Sequence, residues 1–180
     1  ISTLTDIGCA DGYYSLESAK KNLKVVAVNV PHGQFFDRLK TLANFFEVQS
    51  NINCVTGHFP SIALSDRTIL ASDVILCLGL IYHLEGEDLK NGLDLLLKSN
   101  KILFIESMFY QDYYENINGF SLKFDPKNHI ENEPLCPRWI EDYILSRSYT
   151  VKWIDEWQNF SEIPGNLRHF GTRKLLMAMP

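Results

Sequence analysis

The sequence contains no long uninterrupted apolar run, no excess of positive charge and no closely spaced pair of cysteines. The absence of a long apolar run argues against a transmembrane helix. A net charge of −5 does not favour nonspecific binding to a polyanion such as a nucleic acid. No CxxC pair occurs among Cys9, Cys54, Cys77 and Cys136, so buried free thiols are favoured over disulfides or a zinc site. We therefore expect a cytoplasmic protein that binds no metal and no membrane.

The first residues carry no secretory signal, because ISTLTDIGCADG lacks a basic region followed by a long apolar one. The sequence starts with Ile1 rather than Met, so we expect a processed chain or part of a longer one. Its 180 residues, of which 46% are hydrophobic and 22% are charged, are enough for one domain with its own core. We predict a single domain over 1–180.

Short apolar runs alternate with helical patterns along most of the chain. Helical spacing is found over 14–22, 34–46 and 87–98, and Pro137 is placed to open a further helix. The second of these helices is predicted to bury Phe35, Leu39, Leu42 and Phe46. The predicted strands are STLTDIG, LKVVAVNV, NINCVTG, SDVILCLGLIY, KILFIES, YTVKWIDEW and RKLLMAMP. This alternation predicts an α/β fold with a parallel sheet and helices on both faces.

The alternation stops after Ser107, and 108–136 is a long irregular stretch rich in aromatic residues. A connection of this length without secondary structure is uncommon in a compact domain and is usually a lid or a binding loop. We predict a lid or substrate-binding insertion, which includes Tyr110 and Tyr113. The alternative is a mobile insertion without a binding role.

Two glycines, Gly8 and Gly12, follow the first predicted strand in the run DIGCADGYYS. In open α/β sheets, ligands bind at the carboxyl ends of the strands, and this turn is expected there. The spacing differs from the Gly-x-Gly-x-x-Gly of dinucleotide binders, because Ala10 and Tyr13 occupy the second and third glycine positions. Asp6, just before the turn, would repel phosphates and favour a cationic or amine-bearing ligand.

Two segments, LTDIGCADGYYSLESAK and SDVILCLGLIYHLEGEDLKNGLDLLL, resemble the first motif and the fourth strand and helix of class I S-adenosylmethionine-dependent methyltransferases. The resemblance implies a Rossmann-like, mostly parallel seven-stranded sheet with an antiparallel last strand. Members of that family usually carry helices before the first strand, which this sequence lacks. The runs VNVPHGQFFDRLKTLANFF and GLIYHL further resemble the branch that contains wobble-uridine tRNA (carboxy)methyltransferases.

The resemblance implies S-adenosyl-L-methionine as the cofactor. Asn29 stands where the family carries the acidic residue that holds the ribose, and a charge-assisted hydrogen bond would be stronger there. Asn29→Asp is therefore expected to tighten cofactor binding. Asp6 is placed on the cofactor's ammonium group; the alternative is a turn or capping carboxylate. The implied cofactor-binding residues are Asp6, Gly8, Cys9, Ala10, Gly12, Asn29, His58, Phe59, Leu78 and Gly79.

His83 follows the fourth predicted strand, where the resemblance implies the transferred methyl group. Histidine has a suitable pKa for a general base, and the alternative is a structural histidine. His129 and His169 are weaker candidates. The candidate substrate-binding residues are Tyr82, Tyr110, Tyr113 and Arg138. The alternative is that the tyrosines serve in packing and that Arg138 is a solvated residue at a helix end.

Three functions follow as alternatives. The first is methyl transfer to a small-molecule acceptor at oxygen or nitrogen. The second is a tRNA-modifying methyltransferase of the wobble-uridine type, which the acidic net charge disfavours. The third is a noncatalytic methyltransferase-like domain of a larger protein, which Asn29 and the missing leading helices suggest.

Overall fold

The protein's computed structural model describes residues 1–31, 34–110, 135–158 and 171–180. Within this part, seven strands form one sheet in the order β3-β2-β1-β4-β5-β7-β6. Strands β1 to β5 are parallel, and β7 runs antiparallel to both of its neighbours. The strands are β1 (Thr3–Ile7), β2 (Lys24–Asn29), β3 (Ile52–Thr56), β4 (Val74–Leu78), β5 (Ile102–Tyr110), β6 (Thr150–Gln158) and β7 (Gly171–Met179). The predicted fold class is confirmed.

Helices connect the strands on both faces of the sheet. In the described residues they are α1 (Tyr13–Lys20), α2 (Phe35–Phe45), α3 (Ser61–Ser65), α4 (Gly86–Lys98) and α5 (Pro137–Leu145). Short 3₁₀ turns occupy Gln49–Asn51, Arg67–Leu70 and Ile81–His83. Pro137 opens α5 as predicted, because its missing N–H costs nothing in the first turn. Among the described helices, none has both the length and the apolar character that a bilayer span requires.

The largest core lies under α4 and α5. Leu89, Leu93 and Leu96 of α4 are fully buried, at the spacing that the sequence predicts. A smaller cluster lies under α1 and α2 on the other face, where Leu16 and Ala27 pack with Leu39. Burial of the apolar faces of α4 and α1 against the sheet supplies most of the driving force for this architecture.

The predicted buried face of α2 is wrong in part. Leu39 and Ala43 are buried, whereas Leu42 and Phe46 are 42% and 41% exposed. The reason is position, because α2 packs over β3, which is the edge strand of the described sheet. Only the inner row of the helix meets the sheet. Cys54 of β3 is accordingly half-buried rather than buried.

The strand β5 extends three residues further than predicted, so Met108 to Tyr110 do not begin the irregular stretch. The extension is held from both sides. Tyr110 pairs with Gly171 of β7, and the backbone N–H of Leu135 donates to the Met108 carbonyl at 2.9 Å. Most of the predicted lid over 108–136, together with His129, lies outside the described residues.

Candidate functional site

The carboxyl ends of the parallel strands form one edge of the sheet, where the strand order reverses between β1 and β4. A reversal of this kind opens a crevice in which α/β proteins bind ligands. Neighbouring strand ends contact each other across it. Asn29 at the end of β2 contacts Ala10 after β1, and Leu80 after β4 lies beside Gly8. The predicted cofactor residues of these three strands therefore meet at one place.

The turn after β1 has an unusual backbone. Gly8, Ala10 and Gly12 have φ values of +75°, +47° and +79°, in the left-handed region that favours glycine. The N–H groups of Gly8 and Cys9 both donate to the Val28 carbonyl, at 2.9 and 3.1 Å. The Gly12 N–H donates to the Cys9 carbonyl at 2.8 Å. These three donors are used within the protein and are therefore not bare N–H groups that could bind a phosphate.

Neighbouring side chains leave no room for a Cβ atom at Gly12, whereas they leave room for one at Gly8. A Cβ atom on Gly12 would lie 2.6 Å from Cδ1 and 2.8 Å from Cδ2 of Leu39, which is fully buried. A Cβ atom on Gly8 would lie 3.4 Å from Leu80, an acceptable though close contact. Side-chain packing thus accounts for part of what the sequence pattern requires. Contact of Gly8 and Gly12 with a cofactor stays a prediction.

Gly12→Ala is expected to lower the free energy of unfolding by about 2–3 kcal/mol, since left-handed backbone and overlap with Leu39 add. Urea denaturation measures this. Gly8→Ala is the matched control, because its φ is similar but its nearest neighbour is 3.4 Å away. The control should lose only about 1 kcal/mol. Equal losses at Gly8 and Gly12 would contradict the packing explanation.

Asp6 is a buried carboxylate beneath the turn. It is 2% exposed, and its Oδ2 atom accepts a hydrogen bond of 2.7 Å from the Ser15 hydroxyl in the first turn of α1. Burial raises the pKa of Asp6 to about 6, and the hydrogen bonds from Ser15 oppose that rise. At neutral pH the carboxylate is therefore charged in a site of low polarity, where attraction to an ammonium group is strong. The sequence pattern did not identify Ser15.

Asn29 uses both polar atoms of its side chain on the backbone. Its Nδ2 donates to the Ala10 carbonyl at 3.3 Å, and its Oδ1 accepts from the Val30 N–H at 3.0 Å. Only an amide can donate to one group and accept from the other here. Asn29 therefore ties the turn after β1 to the end of β2. Its predicted contact with a ribose is untested.

Asn29→Asp removes the donor and places a carboxylate oxygen against the Ala10 carbonyl. We expect the free energy of unfolding at pH 7 to fall by about 1–2 kcal/mol, because a hydrogen bond becomes a repulsion. The sequence analysis expects Asn29→Asp to bind the cofactor more tightly. This can occur only if the turn after β1 keeps its conformation without the hydrogen bond from residue 29 to the Ala10 carbonyl. Thermal unfolding and calorimetric titration on the same sample separate the two effects. Unchanged stability would show that the Asn29–Ala10 bond contributes nothing.

An ion pair lies beside the end of β4 that sequence reasoning missed. Nη1 of Arg173, on β7, lies 2.8 and 2.9 Å from the two carboxylate oxygens of Glu106, on β5, and its Nη2 donates to the Tyr82 hydroxyl at 3.2 Å. Glu106 is 6% exposed. Burial raises the pKa of Glu106 despite the opposing charge of Arg173. A Cβ atom on Gly79 would lie 3.4 Å from Glu106 Oε2, so the pair borders the crevice.

The remaining predicted residues are spread more widely. His83 is exposed on the 3₁₀ turn after β4, with its ring centroid 4.1 Å from that of Tyr82. Phe59 is buried in the main core, and its ring lies where a Cβ atom on Gly92 would be, so its contact with adenine stays a prediction. His58 is exposed, and Leu78 is half-buried at the end of β4.

Some predicted residues cannot be placed in the crevice. Arg138 is exposed in the first turn of α5. The side chain of Tyr110 and all of Tyr113 and His169 lie outside the described residues. Cys9 is buried in the turn, where burial raises the pKa of its thiol to about 12, so it is not a nucleophile at neutral pH. Within the described residues, no group of three or more metal-ligating side chains is found.

The chemistry of the residues at these strand ends would suit the amino-acid end of S-adenosylmethionine better than its ribose. A buried carboxylate at Asp6 and a compact turn suit an ammonium group. Asn29 offers no charge, and its oxygen already accepts a bond from the backbone. The residues that could hold the cofactor are therefore those of the turn and the end of β4.

Comparison with known proteins gives structural matches alone. No family model matches the sequence, and no curated protein matches it significantly. An O-methyltransferase family protein from Burkholderia thailandensis superposes on 98% of this chain with a TM-score of 0.64 at 15% identity. The chain has the Rossmann-like fold of the methyltransferases. Precorrin-6y C5,15-methyltransferase from Geobacter metallireducens covers 99% of it with a TM-score of 0.59 at 13% identity.

A third structure with this methyltransferase fold is the methyltransferase domain of a bacterial CtHen1, which covers 99% of the chain with a TM-score of 0.64 at 14% identity. The chain spans 50% of the O-methyltransferase family protein, 80% of the precorrin enzyme and 90% of the CtHen1 domain. At such identities the likeness concerns the fold. The narrower resemblance to wobble-uridine enzymes is not supported by these structures.

Proposed function

We propose that this domain binds S-adenosyl-L-methionine in the crevice between β1 and β4 and transfers its methyl group to a small-molecule acceptor. The observation that carries the proposal is the buried Asp6 carboxylate beneath a left-handed turn at the point where the strand order reverses. A buried anion next to a ligand crevice favours a cationic partner, and the amino group of the cofactor is one. The methyltransferase fold of the neighbours supports the same choice.

When bound, the cofactor supplies a methyl group on a sulfonium, which a nucleophile takes by in-line displacement. The protein's contribution to such a step is alignment and exclusion of water. The turn with Gly8 and Gly12, and Leu78 and Gly79 at the end of β4, would position the amino-acid end. Tyr82, whose hydroxyl accepts a hydrogen bond from Arg173, lies near that strand end and is the aromatic ring that would approach a positively charged donor.

The acceptor is assigned to the side of the crevice formed by His83, Tyr82 and Arg173. His83 follows β4 and would take a proton from a hydroxyl or ammonium acceptor. Arg173 and Tyr82 would orient a polar group of the acceptor. Tyr110, Tyr113 and Arg138 remain proposed acceptor-binding residues.

Calorimetric titration with S-adenosylhomocysteine tests the proposal directly. We expect saturable one-to-one binding, because that molecule shares the ammonium and the nucleoside with the cofactor. Release of S-adenosylhomocysteine from S-adenosylmethionine is then measured with a panel of small hydroxyl and amine acceptors. If the protein binds neither S-adenosylhomocysteine nor S-adenosylmethionine, it is not an S-adenosylmethionine-dependent methyltransferase.

A noncatalytic cofactor-binding domain is the second candidate, and the use of both Asn29 polar atoms on the backbone favours it. It predicts binding without turnover for every acceptor in the panel. A tRNA is tested as a third kind of acceptor beside the small hydroxyl and amine compounds. Its binding would weaken steeply with added salt, whereas binding of an uncharged small acceptor would not.

A further inference from the structure

A cavity of about 410 Å³ lies between α2 and the edge strand β3, on the sheet face that α1 and α2 cover. Its floor is apolar, formed by Leu39 and Ala43 from α2 and by Ile52 and Cys54 from β3. Residues four apart on a helix share a face, so Lys40 and Asn44 form a second, polar row along its rim. The volume is in the range of small-molecule sites, roughly 300–1,000 Å³.

The charge of the lining selects the kind of ligand. Lys40 carries a positive charge, and the residues that line this cavity, all within the described part of the chain, include no carboxylate. The amides of Asn44 and Gln49 add hydrogen-bond donors at the same rim. An apolar floor beneath one ammonium group and two amides suits a small carboxylate with an apolar body.

Leu39 connects this cavity to the turn after β1. Its side chain lines the cavity, and its Cδ1 and Cδ2 atoms lie against Gly12 so closely that no Cβ atom would fit there. Gly12 is the N-cap residue of α1, and its carbonyl accepts the first helical hydrogen bond from the Leu16 N–H at 2.8 Å. Leu39 is 0% exposed, so a ligand in the cavity would act on the turn by displacing this side chain.

We propose that the cavity between α2 and β3 is a second ligand site, which takes a small apolar monocarboxylate and transmits its occupancy to the turn through Leu39. Because coupling between two sites is reciprocal, occupancy of the cavity changes the affinity of the crevice for its own ligand. That consequence rests on the proposed function. The existence of the second site does not.

Nuclear magnetic resonance titration of the full chain tests the site, with phenylacetate as the probe and phenylacetamide as its uncharged match. We expect saturable shifts at the amides of Leu39, Lys40 and Cys54, and a shift of the Gly12 amide that follows the same binding curve. The uncharged amide should bind about three- to fivefold more weakly, as loss of one exposed ion contact predicts. Absence of saturable shifts at these residues, or equal affinity of the two probes, overturns the proposal.

Lys40→Met keeps the length of the side chain and removes its charge. It should weaken phenylacetate binding about three- to fivefold, whereas Lys21→Met, which changes an exposed lysine outside the cavity, should change it less than about twofold. Equal effects of the two variants would show an unspecific attraction to a basic surface and overturn the site.

The coupling has its own readout. Saturating phenylacetate should change the affinity for S-adenosylhomocysteine at least about threefold. Unchanged affinity together with an unmoved Gly12 amide overturns the coupling. A chain that does not bind S-adenosylhomocysteine refutes the proposed function, and the Gly12 amide alone then decides whether the cavity acts on the turn.

Discussion

Asp6→Asn is expected to make the protein more stable at pH 7 and unable to bind S-adenosylhomocysteine. The Asp6 carboxylate is 2% exposed, and burial raises its pKa to about 6. A carboxyl group whose pKa is higher in the folded than in the unfolded protein stabilises the native state in its protonated form. This stabilisation is complete below the unfolded pKa and is lost as the pH rises through the folded pKa. At pH 7 the ionised carboxylate therefore costs the native state about 1–3 kcal/mol.

The amide oxygen introduced by Asp6→Asn would still accept the Ser15 hydroxyl, so the packing beneath the turn is kept. Stability of the natural protein should fall between pH 4 and pH 7 by the contribution of Asp6, and Asp6→Asn should remove this contribution. Asp73→Asn is the contrasting control. The Ser2 and Thr3 N–H groups lower the pKa of Asp73, so its contribution is lost on acidification instead.

Binding gives the second half of this prediction. Affinity for S-adenosylhomocysteine should decline below pH 6 as Asp6 takes up a proton, by up to about tenfold per pH unit. Calorimetric titration from pH 5 to pH 8 measures the decline. Asp6→Asn with affinity like that of the natural protein would show that Asp6 does not face the ligand, whatever its effect on stability.

Arg173→Met is expected to lower the free energy of unfolding at pH 8 by about 2–3 kcal/mol. Removal of Arg173 leaves the Glu106 carboxylate buried without a compensating charge. In a fully buried pair this typically costs about 3–5 kcal/mol. The cost is smaller here because the Arg173 side chain is 28% exposed. The expected loss is measured by denaturant unfolding.

The pH dependence identifies the cause. Without Arg173, the pKa of Glu106 rises further, because the charge and the hydrogen bonds that lower it are gone. A raised pKa means that stability is recovered as the pH falls below the folded value, so the deficit of Arg173→Met should be smaller at pH 4.5 than at pH 8. A deficit that is the same at both pH values would contradict a buried unpaired carboxylate.

Two variants serve as controls for this pair. Adding Glu106→Gln to Arg173→Met should restore part of the loss, because no charge then stays buried. Arg147→Met breaks the more exposed pair with Asp94 and should cost less than about 1 kcal/mol. A large loss at Arg147 would mean that the Arg173 effect reflects packing of a long side chain.

The sequence predicts the succession of the seven strands and of four helices, because each of these elements has its own local pattern, whereas the short helix α3 (Ser61–Ser65) was not predicted. The turn after β1 was located correctly, since glycine at Gly8 and Gly12 marks left-handed backbone. The side chains that surround this turn, and the overlap that requires glycine at Gly12, were not predictable. Leu39 and Leu80 reach the turn from distant segments, and no local pattern records such contacts.

The Glu106–Arg173 pair shows the same limit more sharply. The two residues are 67 positions apart and meet because β5 pairs with β7. The one available signal was an acidic residue inside the apolar run KILFIES, which requires a partner once that strand is buried. For α2, the helical spacing was correct, yet the exposure of Leu42 and Phe46 depends on its place at the sheet edge.

The chain leaves the sheet at Tyr110 and returns at Leu135, close to its point of departure, because Phe109 pairs with Leu135. Phe109 and Leu135 are both fully buried, so these two anchor points are fixed by the core. Doubling the length of a connection between fixed ends costs only about 0.6 kcal/mol. Connections of different length between these two points are therefore compatible with the same scaffold at little cost in free energy.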